Sequence, residues 1–102
     1  MKATNYITLA EAKKHLTIDE GYNGDDSLIE MQLDTALEIV LSECCRSINE
    51  LTDENGVLNR IARAAVLLKL GDLYAYREDH YNGSISAVGD YQRLISLIRN
   101  YA

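Results

Sequence analysis

Apolar positions recur at helical spacing in four stretches of the chain, and polar, turn-forming segments separate them. In the first, Leu9, Ala12 and Leu16 share one face. Thr8 and Glu11 stand at capping-box spacing just before it, Ile7 is placed to staple the first turn, and Lys13, Lys14 and His15 fall in the last turn, where positive charge suits the helix dipole. A second helix is expected from Asp26 or Ser27 to about Ile48, with Leu33, Leu37, Val40, Leu41, Cys44 and Ile48 as its apolar stripe. Glu30, Asp34, Glu38 and Glu43 mark its wet side. Asn49 to Gly56 reads as a connector.

The third helix is expected from about Val57 to Asp79, roughly 33 Å long at about 1.5 Å per residue. Leu58, Ile61, Ala65, Leu68, Leu73 and Tyr76 form one of its faces, and Val66, Leu67, Leu70, Tyr74 and Arg77 a neighbouring one. A helix apolar over more than one face lies centrally, with partners on two sides. Asn82-Gly83 breaks the chain, and a last helix covers about Val88 to Tyr101 with Tyr91, Leu94, Ile95 and Ile98 inward. The pattern therefore predicts one all-α domain over residues 1–102, a four-helix domain with a long central third helix.

Composition agrees with a single small globular domain: 102 residues, 47% hydrophobic and 25% charged, with no proline, tryptophan or phenylalanine. A formal net charge of -6 argues against a grip on nucleic acid, which needs clustered Lys and Arg to neutralise phosphates. The opening MKATNYITLAEAKKH lacks an apolar signal-peptide core, and no apolar run approaches the ~18 residues of a membrane span, so neither export nor membrane insertion is expected. Cys44 and Cys45 are adjacent, and neighbours on a helix diverge by about 100°, so a disulfide between them would distort the backbone. Cys44 is expected to pack as a small reduced hydrophobe.

Three stretches bear on chemistry. DEGYNGDDSLIE, Asp19 to Glu30, resembles a calcium loop: with Asp19 first, Asn23, Gly24, Ser27 and Glu30 fall where an EF-hand needs them. The third position, however, is Gly21, which has no side-chain oxygen, and the eighth is Asp26, where an apolar residue belongs. The alternative is a structural corner, turned by Gly21 and Gly24, in which Asp26 or a Ser27–Glu30 capping box starts the second helix. In DLYAYREDHY, the residues Leu70, Tyr74, Arg77 and Tyr81 lie on one helical strip, which reads either as helix packing or as a contact with another subunit. Glu78, Asp79 and His80 are consecutive and diverge, so they form no metal site. His15 and His80, in different elements, make no nucleophile–base constellation, and no phosphate loop or zinc spacing is present, so no catalytic residue, metal or cofactor is expected.

The order of these pieces resembles the phage gp6-like head–tail connector family. Leu9, Ala12, Lys13, His15, Leu16, Ile18, Asp19 and Asp26 match that family's opening Leu-x-x-Ala-Lys-x-His-Leu-x-Ile-Asp and the Asp-rich loop before its long helix. Ala36 lies where the family favours a small residue, and Cys45-Arg46 near a common Gly-Arg. Leu73-Tyr74-Ala-Tyr-Arg77-Glu78 resembles its Leu-Tyr-x-x-Arg-Glu, and Leu94 to Arg99 its ending, with Leu97 where Pro is frequent. The resemblance implies a structural virion protein of the neck, assembled in the host cytoplasm. Such a protein is a subunit of a homo-oligomeric ring of about a dozen copies between the portal and a tail or neck component. DNA passes through such a ring without sequence-specific binding, and an acidic subunit repels phosphates rather than holding them. Two alternatives remain: a small acidic helical adaptor that binds a basic protein partner, and a single-loop calcium module over Asp19–Glu30.

Overall fold

The computed structural model describes residues 3–18, 21, 23–75 and 88–99, the last stretch with side chains from 91 onward. A 3-10 turn, Ala3–Asn5, leads into α1 (Leu9–His15), α2 (Asp26–Cys44), α3 (Ile48–Leu51), α4 (Arg60–Ala75) and α5 (Val88–Ile98). No strand occurs among the described residues; one antiparallel bridge joins Thr52 to Leu58. The fold is all-α, with five described α-helices rather than four.

Local chemistry sets the ends of these helices. Thr8 is extended, and its Oγ1 accepts the Glu11 amide at 3.1 Å, which fixes the start of α1. Only this half of the expected capping box forms, because Arg63 on α4 donates to both Glu11 carboxylate oxygens, at 2.9 and 3.0 Å. Helix α1 closes with Thr17 left-handed at φ 57: the Thr17 amide donates to the Lys14 carbonyl and the Ile18 amide to the Lys13 carbonyl. This is a Schellman closure built on a β-branched residue where glycine is usual. Helix α2 ends the same way, with Cys45 at φ 58 and the Arg46 amide on the Leu41 carbonyl. The left-handed turn explains why α2 stops at Cys44 instead of running to Ile48.

The expected connector after α2 is itself ordered. Glu50 accepts the Ser47 amide at 3.1 Å and the Ser47 hydroxyl at 3.2 Å, starting the single turn of α3. Asp53 Oδ1 accepts the amides of Asn55 and Val57, both at 2.9 Å, and Gly56 takes φ 78 to complete the turn. The Asn59 side chain then accepts the Ile61 and Ala62 amides at 2.7 and 3.3 Å. Asn59 therefore caps α4, which begins at Arg60 rather than at Val57. The described part of α4 has 16 residues against 19 for α2, so α2 is the longest described helix; the expected end of the third helix at Asp79 lies outside the described residues.

The centre is shared by α2 and α4, packed on each other: α4 also packs on α1 and α5, and α2 on α1, α5 and the 3-10 turn. Ile29, Leu33, Ala36, Leu37, Val40 and Cys44 of α2 meet Ala62, Ala65, Val66 and Leu70 of α4, and Tyr91, Ile95 and Ile98 of α5 close the core. Ala36, Ala62 and Ala65 are fully buried, so small residues let the α2 and α4 backbones approach.

Candidate functional site

The acid-rich corner between α1 and α2 is held by side chains from three helices. Lys13, in the last turn of α1, is 4% exposed. Its Nζ lies 2.7 Å from Asp26 Oδ1, at the first turn of α2, and 3.4 Å from Asn23 Oδ1. Lys13 thus turns inward onto Asp26, a partner that its place in the last turn of α1 did not reveal. The neighbouring Asp25 stands at the N-cap of α2 without capping it; its Oδ2 accepts the Tyr74 hydroxyl of α4 at 2.6 Å. Helix α2 therefore starts at Asp26 with neither Asp26 nor Ser27 as its cap, and the expected Ser27–Glu30 capping box is not the start signal.

This geometry bears on the calcium alternative. Asp26 is ion-paired with an ammonium and Asp25 accepts a hydrogen bond from a phenol, while Glu30 is exposed on the side of α2. Asp19 lies outside the described residues. Among the described residues, no three His, Cys, Asp or Glu side chains converge on a point that would hold a metal ion.

The other sequence-picked residues separate by role. Leu9, Leu16 and Ile18 are half-buried against the core. His15 is exposed, with its Nε2 near the surface of Gly71 on α4, where a Cβ would stand 3.8 Å away. Tyr74, expected on a packing or subunit strip, is half-buried and directs its hydroxyl to Asp25 of its own chain. Arg77, Glu78 and Tyr81 lie outside the described residues. Cys44 is buried, and desolvation pushes its thiol pKa up; Cys45 is exposed, and both are free thiols.

Several cross-helix contacts had no marker in the sequence. The buried Tyr91 ring of α5 donates its hydroxyl to Glu43 of α2 and carries Lys69 of α4 over its face, 4.3 Å from the centroid. Burial, followed by the Glu43 carboxylate, pushes the Tyr91 pKa far up. Arg46 donates from Nε to the Ile98 carbonyl at 2.5 Å and from Nη1 to Glu50 at 3.1 Å, tying the end of α5 to α3. Asp34 accepts the Ala3 amide at 2.7 Å. Apart from Arg46–Glu50, which is four residues apart, these pairs join residues far apart in the chain, beyond any local pattern.

A shallow cavity of 440 Å³ opens between α3 and the start of α4, lined by Glu50, Leu51, Asp53, Val57, Leu58 and Arg60 among others. Its polar lining comprises the Glu50 and Asp53 carboxylates, the Thr52 hydroxyl, the Asn59 amide and the Arg60 guanidinium. Outside it, Met31 on α2 is 59% exposed and Leu97 on α5 is 65% exposed. No described helix is long and apolar enough to cross a membrane.

No family model matches the chain, and no curated protein matches it. The fold is similar to the crystal structure of bacteriophage HK97 gp6, with a TM-score of 0.75 and 19% sequence identity over 96% of this chain and 97% of that one. The likeness runs end to end, and the chain has a gp6-like fold.

Proposed function

We propose that the chain is a structural virion protein of a tailed phage or prophage, a non-catalytic subunit of the oligomeric ring that joins the portal to the tail and extends the DNA channel. The observation that carries this reading is the end-to-end likeness of the fold to bacteriophage HK97 gp6. The ordered resemblance of Leu9, His15, Leu16, Ile18, Asp19 and Asp26 to the head–tail connector opening supports it independently of backbone shape. A net charge of -6 suits a channel element, because DNA must slide past it and an acidic wall does not retain phosphates. In this role the subunit works in the virion neck after assembly in the host cytoplasm, with the portal on one side and a tail or neck component on the other. Native mass spectrometry of the chain, alone and with the portal protein of the same genome, tests it. Rings of about a dozen copies are expected, since heterologous contacts that close produce cyclic assemblies. Monomer alone in both samples overturns the reading.

A further inference from the structure

Three Asn-Gly pairs stand in the chain: Asn23-Gly24, Asn55-Gly56 and Asn82-Gly83. In such a pair the glycine nitrogen can add to the side-chain amide carbon of the preceding asparagine, because no Cβ crowds its approach. Asn82-Gly83 lies outside the described residues; the other two pairs are exposed, and the fold treats them differently. At Asn55 the nucleophile is committed. The Gly56 amide donates to the Asp53 carbonyl at 3.0 Å, and Gly56 is held at φ 78. The Asp53 carboxylate accepts the Asn55 and Val57 amides, so the charge in this turn is negative and opposes an anionic attack. At Asn23 both conditions reverse. The Asn23 carbonyl accepts the Asp26 amide at 3.3 Å, but the Gly24 amide has no acceptor among the described residues. Asn23 Oδ1 lies 3.4 Å from the Lys13 ammonium, and Lys13 is 4% exposed, so that positive charge is held in place. The carboxylates nearby are already engaged, Asp26 by Lys13 and Asp25 by the Tyr74 hydroxyl.

We infer that Asn23 is a site of spontaneous deamidation through a cyclic imide with Gly24, and that the fold protects Asn55 from the same reaction. The Gly24 nitrogen gives its proton to water and bonds to Asn23 Cγ. Negative charge builds on Oδ1, where the Lys13 ammonium faces it. The intermediate expels the side-chain nitrogen as ammonia and leaves the imide. Water then opens the imide at either carbonyl, giving aspartate or isoaspartate. Water is consumed and ammonia released, and nothing is oxidised or reduced. Both products set a new carboxylate within reach of Lys13, where it competes with Asp26 for the ammonium. The isoaspartyl product also routes the main chain through Cγ and displaces the carbonyl that accepts the Asp26 amide. The reaction therefore alters the corner that joins α1 to α2, and it does so whether or not the chain assembles.

Ageing the folded chain in warm, mildly alkaline buffer tests this. Peptide mapping by mass spectrometry follows each Asn-Gly pair separately, and isoaspartyl methyltransferase labelling identifies the isoaspartate. Asn23 should convert at least about fivefold faster than Asn55, the factor that freeing one hydrogen-bonded backbone amide imposes. In urea, where neither turn is formed, the two rates should come within about twofold of each other. Gly24→Ala should slow conversion at Asn23 by about tenfold or more, because a Cβ then hinders the attacking nitrogen. The left-handed glycine among the described residues is Gly56, not Gly24, so the turn accepts alanine, and a thermal melt confirms that the variant is folded. The inference is overturned if Asn55 converts in the folded chain as fast as Asn23, or if Asn23 stays intact there while the urea-unfolded chain converts. A Gly24→Ala chain that deamidates at the natural rate overturns the imide route.

Discussion

Lys13 and Asp26 form an ion pair 2.7 Å long that joins the end of α1 to the start of α2, with the lysine side chain 5% exposed and the aspartate 30%. Removing the ammonium leaves a partly buried carboxylate beside Asp25 in an acid-rich turn. Lys13→Ala is expected to lower stability by about 1–3 kcal/mol, less than a fully buried pair because Asp26 keeps some water. Urea unfolding measures it. Lys13→Met, which keeps the apolar stem but not the charge, should recover only part of the loss. Calorimetric titration of the natural chain with calcium should show no saturable heat; a saturable signal that disappears in Asp19→Ala would restore the calcium module.

Thr17 and Cys45 close α1 and α2 in the left-handed region, at φ 57 and φ 58. A side chain there is strained by roughly 1–2 kcal/mol, and glycine is not, although glycine also loosens the unfolded chain. Thr17→Gly and Cys45→Gly should each stabilise the protein by about 0.5–1 kcal/mol, readable as a higher melting temperature.

Tyr91 is 2% exposed and donates its hydroxyl to Glu43. Its phenol pKa is raised in the folded state, so the neutral form is the one that folding favours. The contribution is fully present below the unfolded tyrosine pKa of about 10 and is lost as pH rises above it. Stability should therefore fall on the alkaline side. Tyr91→Phe should cost about 1–2 kcal/mol at neutral pH and flatten that alkaline limb in denaturation curves.

Asn59 accepts two amides at the start of α4. Asn59→Ala should cost about 1 kcal/mol, and Asn59→Asp should hold most of it, because an acid at a helix start retains the acceptor and favours the dipole. Amide exchange at Ile61 and Ala62 would report the loss directly.

Glu50 offers an acid-side counterpart. The Ser47 amide, then the Ser47 hydroxyl and Arg46, hold its carboxyl below the usual range. The stability it adds is present above the unfolded carboxylate pKa and is lost as pH falls through the lower folded value. Glu50→Gln should reduce the acid-side slope of stability without changing the helix content measured by circular dichroism at neutral pH.

The candidate site was legible only in part. The acidic turn, its misfit with a calcium loop and the placing of Tyr74 on a partly buried strip could be read from residue types and spacing. The ammonium that neutralises the turn could not, because Lys13 at a helix end has the same sequence signature whether it points to solvent or folds inward. Tyr74 likewise fits a subunit contact as well as its bond to Asp25, 49 residues away.

By itself the sequence determined the all-α class, the start of α1 at Thr8 and the buried stripes of α2 and α5; the expected break at Asn82-Gly83 lies outside the described residues. Those features depend on helical periodicity and on side chains that bond amides within a few residues. The tertiary structure decided where α2 stops and the pairs Lys13–Asp26, Glu11–Arg63 and Tyr91–Glu43; the extra turn of α3 has a local signal, the Ser47–Glu50 capping box, which the sequence reading passed over. A left-handed closure on threonine or cysteine carries no local marker, since packing of the next element, not backbone preference, selects it. Charges far apart in the chain choose partners only after the helices have been brought together by burying their apolar faces.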